Sequence, residues 1–313
     1  MQEFNITSMA KYLTNEDEAF KLVESIVWSN GIPTCPHCKN EGAYKLTPKA
    51  ESKKPVRRGA YKCKSCRKIF TVRTGTIFED SHLPLGKWLY AIHILCSSKK
   101  SISAHQLHRQ LDITYKTAWF LLHRIRYVMD NQSFDKLSGD VEVDETYVGG
   151  KPRKGNGKTN KRGRGTSKTP VVALVQRKGN VKTRVVPDVS SKTLKNAIRE
   201  NVELSSRIIT DEWRSYNGIG KEYEGGHFSV NHGRYEFDRD GINTNTAESF
   251  FALFKRSIYG TWHHISKKHI HRYSIELEYR WNRRKNTDSF RTKDLLSCII
   301  GKRMSYKEVK ANG

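Results

Sequence analysis

The chain has 313 residues, enough for two domains, and carries 57 Lys and Arg against 32 Asp and Glu, a formal net charge of +25 at pH 7. So large a basic excess selects a polyanionic partner, either nucleic acid or an anionic membrane surface. No apolar run approaches the ~18 residues of a membrane span, and the opening MQEFNITSMAKYL lacks the basic start and apolar core of a secretory leader, so no membrane partner and a cytoplasmic, nucleoid-associated location are expected.

Residues 1–30 show helical apolar spacing at Phe20, Val23, Ile26 and Val27. NEDEAF places acids at a helix start, where they complement the dipole, and NGIP stops the helix. Residues 31–80 form a first module, in which CPHC at 35–38 and CKSC at 63–66 are separated by 24 residues. Two such pairs predict a zinc ribbon, with Cys35, Cys38, Cys63 and Cys66 holding one structural Zn2+. Four protein thiolates leave no open position for chemistry. A module this small needs the ion to hold its fold. Cys96 and Cys298 sit in apolar runs and are expected to be buried packing residues.

Residues 81–135 read as a helical region. Leu85, Trp88, Leu89, Ile92 and Leu95 recur at helix-face spacing. SISAHQLHRQLDITYKTAWFLLHRIRYVMD then predicts two helices around the turn DITY, a helix-turn-helix-like pair. Its second helix would start at Thr114, bury Ala118, Leu121, Leu122, Ile125 and Val128, and offer Lys116, Arg124 and Arg126 to DNA. Residues 151–170, with eight basic residues and no acids, form a glycine-rich loop. Arg153, Lys154, Lys161, Arg162 and Arg164 are expected to touch phosphate there.

Residues 136–290 change pattern. VEVDETYVGG, TPVVALVQRKG and KTRVVPDV read as strands, with RKGN a hairpin turn. SKTLKNAIRENV reads as a helix capped by Ser190 or Ser191, and SRIITDEW as a fourth strand. Three strands, a helix and a strand is the order of a ribonuclease-H-like core, whose first and fourth strands are parallel neighbours. Asp144 and Asp211 end apolar strand runs and would lie side by side. Like charges so placed raise one pKa unless a cation sits between them. Two hard divalent ions about 4 Å apart would remove that conflict and serve phosphoryl transfer. Glu248, Asn245 three residues earlier and Lys255 seven later share one helix face, while Phe250, Phe251 and Phe254 form its apolar side. His227 and His232 lie between the second aspartate and this helix. His263 and His264 follow it, and WNRRK offers Arg283 and Arg284 to DNA. Residues 291–313 form a C-terminal tail. The fold class expected is α+β / α/β: a small zinc ribbon and a helical region ahead of the ribonuclease-H-like core.

CPHC and CKSC, YKTAWFLLHRIR, VEVDETYVGGK, TDEWRSY, HFSVNH, NTNTAESFFALFKRSIYGTWHHIS and RYSIELEYRWNRR together resemble bacterial insertion-sequence transposases with an aspartate-aspartate-glutamate (DDE) triad. The similar group joins an N-terminal zinc ribbon to this domain and is related to the Merlin elements. The resemblance spans roughly residues 20–290. It implies Asp144, Asp211 and Glu248 as ligands of two Mg2+ (or Mn2+) ions, with Lys255 as the accompanying lysine. It also implies double-stranded DNA, as element ends and target, and a homo-oligomer on that DNA. The implied activity is binding of terminal inverted repeats, metal-dependent cleavage and strand transfer. One departure stands out: Asn243-Thr244-Asn245 replaces the His-Thr-Asn of many relatives. In some relatives an asparagine here is the third catalytic residue, so Asn245 competes with Glu248. A carboxylate binds Mg2+ better than a neutral amide, which ranks Glu248 first. Two other readings fit the same motifs: a zinc-ribbon DNA-binding protein with an inactive nuclease core, and a structure-specific nuclease that cuts without joining.

Overall fold

A computed structural model describes residues 3–47, 56–130, 136–150, 166–230, 238–239 and 241–311. The chain divides into two compact units. The first holds residues 1–98, 104–131 and 286–311, the second 99–103 and 132–285.

Two helices open the first unit, α1 (Ile6–Thr14) and α2 (Glu16–Val27), where one was expected. Asn15 divides them: it ends α1, and its side chain accepts from the amides of Asp17 and Glu18, so a new helix starts. The ribbon sheet is antiparallel, from β1 (Ala43–Lys45), β2 (Tyr61–Cys63) and β3 (Ile69–Phe70). Trp28 packs edge-on against Tyr61 and Phe70, giving these short strands an apolar cover. Helices α3 (Leu85–Ser97), α4 (Ala104–Leu111) and α5 (Tyr115–Met129) follow. Asp112 turns the chain between α4 and α5 with φ 47°, and the Thr114 side chain caps α5 at Thr117.

Helix α3 begins after Pro84, which supplies no side-chain cap. Its first amides go instead to Glu16, which accepts from Leu85 at 2.8 Å and Gly86 at 3.1 Å, and pairs with Arg73 at 3.2 Å. A side-chain carbon on Gly86 would lie 2.0 Å from the Tyr12 carbonyl oxygen, so α1 and α3 meet only because this residue is glycine.

The second unit is built on β4 (Asp140–Val148), β5 (Thr169–Gln176), β6 (Val181–Val185), helix α6 (Ser191–Asn201), β7 (Arg207–Asp211), β8 (His227–Val230), and helices α7 (Asn245–Ser257) and α8 (Ile270–Asn282). The mixed sheet runs β6-β5-β4-β7-β8. β5 lies antiparallel to β4 and β6, whereas β7 is parallel to β4 and β8. The ribbon followed by this ribonuclease-H-like strand order is the expected fold class. Ser190 caps α6, one of the two serines expected there.

The sheet is buried on both faces, with alternate residues sorted by the pleat. Val141 and Val143 pack with Leu194 and Ile198 of α6. Val148, Val171, Ala173 and Val175 pack with Phe250, Phe251 and Phe254 of α7. Edge strand β6 is sealed by α8. The Asn282 side chain accepts from the Val181 N–H at 2.7 Å and donates to the Val181 carbonyl at 3.0 Å, and Glu278 accepts from the Thr183 N–H at 2.8 Å. Backbone groups that would template another strand are thereby filled.

Helices α9 (Asp288–Ser297) and α10 (Tyr306–Ala311) belong to the first unit. Thr292 bonds His93 at 3.1 Å, and Arg291 donates to the Cys96 carbonyl at 2.9 Å. Cys96 is buried as expected, but Cys298 is only half-buried, because it ends α9 instead of lying within it. Among the described residues no helix is long and apolar enough to cross a membrane.

Glu16→Ala is expected to lower the stability of the first unit by about 2 kcal/mol, since two helix-start amides lose their acceptor. Denaturant titration monitored by tryptophan fluorescence checks this, and an unchanged midpoint removes Glu16 from the capping role.

Candidate active site and zinc centre

Both Cys-x-x-Cys turns close in the same way, each followed by a left-handed residue, Lys39 at φ 62° and Arg67 at φ 61°. They bring Cys35 Sγ to 3.7 Å from Cys66 Sγ, and Cys38 Sγ to 3.6 Å from Cys63 Sγ. All four sulfurs lie within 4.8 Å of one another. A tetrahedral ion with Zn–S bonds near 2.3 Å sets its thiolates about 3.8 Å apart. The donor set and spacing fit one Zn2+ with no position left open.

The candidate active site starts from strand register. Val143 pairs with Thr210 across the parallel β4–β7 ladder, so the next step along each strand is Asp144 and Asp211. That register is pinned at the other end, where Arg207 grips Asp140 with bonds of 2.8 and 2.5 Å. Helix α7 brings Glu248, exposed, onto the Asp144 side of the sheet. Asp144 has its pKa raised from 3.8 to about 7. Burial is the largest cause, and the negative charges of Glu145, Asp211 and Glu248 add to it. Asp211 accepts the Trp213 amide at 3.1 Å, and Thr244 reaches Glu248 at 3.5 Å. The carboxylates of Asp211 and Glu248, from two other elements, thus act on Asp144. Their oxygen donors suit a hard divalent cation such as Mg2+ or Mn2+. Asn245 and Lys255 are exposed on the same helix.

Glu142 is a buried acid beside the site that the sequence pattern did not single out. It lies two residues before Asp144 on the same strand face and is 0% exposed. Its carboxylate accepts from the amides of Thr246 at 2.8 Å and Ala247 at 2.9 Å, from the Thr246 hydroxyl at 2.9 Å, and from Arg177 at 2.7 Å. With its oxygens so filled, it is not a candidate metal ligand. An acid at an inward position of a strand between two apolar neighbours was the available signal. Glu145, on the opposite face, accepts from the fully buried Tyr216 hydroxyl at 2.9 Å.

The basic residues separate into different roles. Arg124 and Arg126 are not on an exposed face, and this expectation is corrected: they are 3% and 2% exposed. Six consecutive residues of α5, Leu121–Arg126, are buried, so no outward stripe exists there. Arg124 donates to the Glu79 carbonyl at 2.7 Å and lies over the Trp88 and Phe120 rings. Burial pulls its pKa down to about 10. Lys116 is exposed, with its ammonium 4.7 Å from the Tyr306 ring. Arg284 donates to the carbonyls of Gly179 and Trp281, and Arg283 lies over the Tyr279 ring. His263 is exposed with φ 56°. His227 meets the Thr210 hydroxyl through Nε2 at 2.9 Å, and burial lowers its pKa. Arg153, Lys154, Lys161, Arg162, Arg164 and His232 lie outside the described residues.

Two outcomes are expected. The purified protein should carry about one zinc per chain by elemental analysis, and Cys63→Ser should lose it together with the fold of the ribbon. Asp144 binds a proton more tightly folded than unfolded, so its contribution to stability is present at acid pH and is lost as pH rises from about 4 to about 7. In chelator at pH 8, Asp144→Asn should therefore raise stability by about 2–4 kcal/mol. A destabilised variant in the same denaturant titration would contradict this electrostatic account.

Residues 136–282 match the ISXO2-like transposase domain, and residues 14–69 match the transposase zinc-ribbon domain. An uncharacterized protein in transposable element ISH50 of Halobacterium salinarum is 29% identical over 264 residues, covering 79% of this chain and 84% of that protein. An uncharacterized transposase-like protein of Haemophilus influenzae is 36% identical over 105 residues, covering 34% of this chain and 83% of its own length. Among solved structures, the match to a Mos1 transposase paired-end complex with left transposon end covers 65% of this chain and 78% of that chain at 10% identity, with a TM-score of 0.26. With a transposase core and a transposase zinc ribbon matched in order along it, the chain belongs to the IS1595 family of insertion-sequence transposases.

Proposed function

We propose that this transposase binds the terminal inverted repeats of its element and catalyses DNA cleavage followed by strand transfer. The observation that carries this reading is the β4–β7 register, which puts Asp144 and Asp211 one step past the Val143–Thr210 pair, with the charges of Asp211 and Glu248 pushing the Asp144 carboxyl up. Such an acid-rich site within a chain of net charge +25 serves a polyanion only if cations neutralise it. Asp144, Asp211 and Glu248 are the residues that would hold two Mg2+ or Mn2+ ions. Those ions would supply Lewis acidity at the phosphodiester and stabilise both the attacking and the leaving oxygen.

The remaining steps fall to the chain itself. Glu248 is the third acid, and Asn245, on the same exposed face of α7, orients it or replaces it. Lys255, two turns farther along the helix, neutralises a phosphate oxygen next to the cut. Water first attacks at the element end and frees a 3′-hydroxyl, and that hydroxyl then attacks target DNA in a second in-line displacement. The ribbon and the α4–α5 pair recognise the ends. Lys116 and His263, both exposed, meet backbone phosphate. Two ends must be joined, so the working form is a homo-oligomer on double-stranded DNA, acting in the cytoplasm at the nucleoid.

Cleavage and joining of element-end DNA with Mg2+ test this reading. Several kcal/mol of transition-state stabilisation depend on the ligands, so Asp144→Ala, Asp211→Ala and Glu248→Ala should each lower cleavage by ~10²-fold or more. Undiminished activity in Asp144→Ala refutes the assignment. Cut ends that never join target DNA identify a nuclease instead. Affinity for end DNA should fall steeply with added salt.

A further inference from the structure

We propose that strand β4 is a positioning frame for the two other acids: Glu142 sets the helix that carries Glu248, and Glu145, through Tyr216, sets the turn that follows Asp211. This rests on the reading of Asp144, Asp211 and Glu248 as the catalytic acids.

A fully buried carboxylate is costly unless it is paired and hydrogen-bonded. Glu142 meets both conditions through one charge partner, Arg177, and three donors at the start of α7. Thr244, at the start of α7, makes no side-chain bond to a helix amide, and the Asn243 side chain takes the first amide, that of Asn245, at 3.3 Å. The next two amides are capped from β4. Thr246 and Ala247 are the residues immediately before Glu248, so the bonds that seat the helix also fix where Glu248 emerges. Arg177 extends the grip backward, donating to the carbonyls of Gly241 at 2.6 Å and Asn243 at 2.8 Å in the segment that leads into α7. An ion pair used only for stability does not require its acid to sit on the catalytic strand, two residues from Asp144 and facing the same way.

The opposite face repeats the arrangement. Tyr216 lies five residues after Asp211 and is fully buried, with its hydroxyl on Glu145. Trp213, between them, donates its amide to Asp211. Of the acids in Glu142-Val143-Asp144-Glu145, the central one is the catalytic residue, and its flanking acids place one partner each. Three repelling carboxylates are thereby held at fixed separation before any cation arrives. Outer partners of metal ligands typically change metal affinity 10–100-fold when removed, and Glu142 and Glu145 are assigned that role as positioning residues.

Glu142→Gln keeps the shape and removes the charge; Tyr216→Phe removes one hydroxyl. Both are compared with wild type and Asp144→Asn by Mn2+ calorimetry and by backbone amide exchange. Each positioning variant should weaken Mn2+ binding by ~10–100-fold. In Glu142→Gln the segment Asn243–Phe250 should exchange faster, with β5 unchanged. In Tyr216→Phe the faster exchange should be confined to the turn after β7. Amide protection of β5 serves as the folding control, and if Glu142→Gln fails to fold, Tyr216→Phe decides. Mn2+ binding kept in Asp144→Asn overturns the catalytic reading, and the positioning role with it. Binding lost in Asp144→Asn but kept in the folded positioning variants overturns the positioning role alone.

Discussion

Parallel pairing of β4 with β7 puts Val143 beside Thr210, and the next residue on each strand is an aspartate. The Arg207–Asp140 ion pair fixes that register from the far end of the ladder. A slip of one residue would turn Asp144 to the α6 face and a valine to the site. The apolar sorting of Val141 and Val143 toward α6 therefore performs two tasks: it builds the core, and it leaves Glu142 and Asp144 no choice of face. The site inherits its geometry from the sheet.

A shared device recurs in both units. Helix α3 starts after a proline that cannot cap it, and Glu16 of α2 takes its first amides. At the start of α7 Thr244 supplies no side-chain cap, and Glu142 of β4 takes the amides of Thr246 and Ala247 in the first turn. In each case a carboxylate from another element meets the positive end of a helix and is paired with an arginine. Local capping would fix only the helix start. A remote cap also fixes the helix against its neighbour, which matters most where the first turn carries Glu248.

The charges of this protein are not one population. Arg124, between aromatic rings, and Arg126 are interior groups, although the overall excess is basic. Glu142 and Glu276 are fully buried and paired with Arg177 and Arg280. Asp144 differs, since burial and neighbouring acids push its carboxyl up without a cationic side chain to offset them. That imbalance separates Asp144 from the structural ion pairs.

The sequence by itself determined the ribbon, because Cys-x-x-Cys spacing encodes a local turn, and the strand order, because alternation and turn residues are local as well. It also placed Asp211 at a strand end and Glu248 on one helix face with Asn245 and Lys255, whereas Asp144 lies in the middle of β4, which runs on to Val148. Tertiary structure alone decided what each face met. Helical spacing marked Ala118, Leu121 and Ile125 as inward, yet could not reveal that α5 is enclosed on the side of Arg124 and Arg126 too. Residues 291–313 read as a tail, whereas α9 and α10 belong to the first unit, with Arg291 and Thr292 bonded to residues some two hundred positions earlier. Glu142 was legible as an acid in a strand. Its part as the cap of α7 depends on a helix that starts 103 residues later, and no periodicity carries information across that distance.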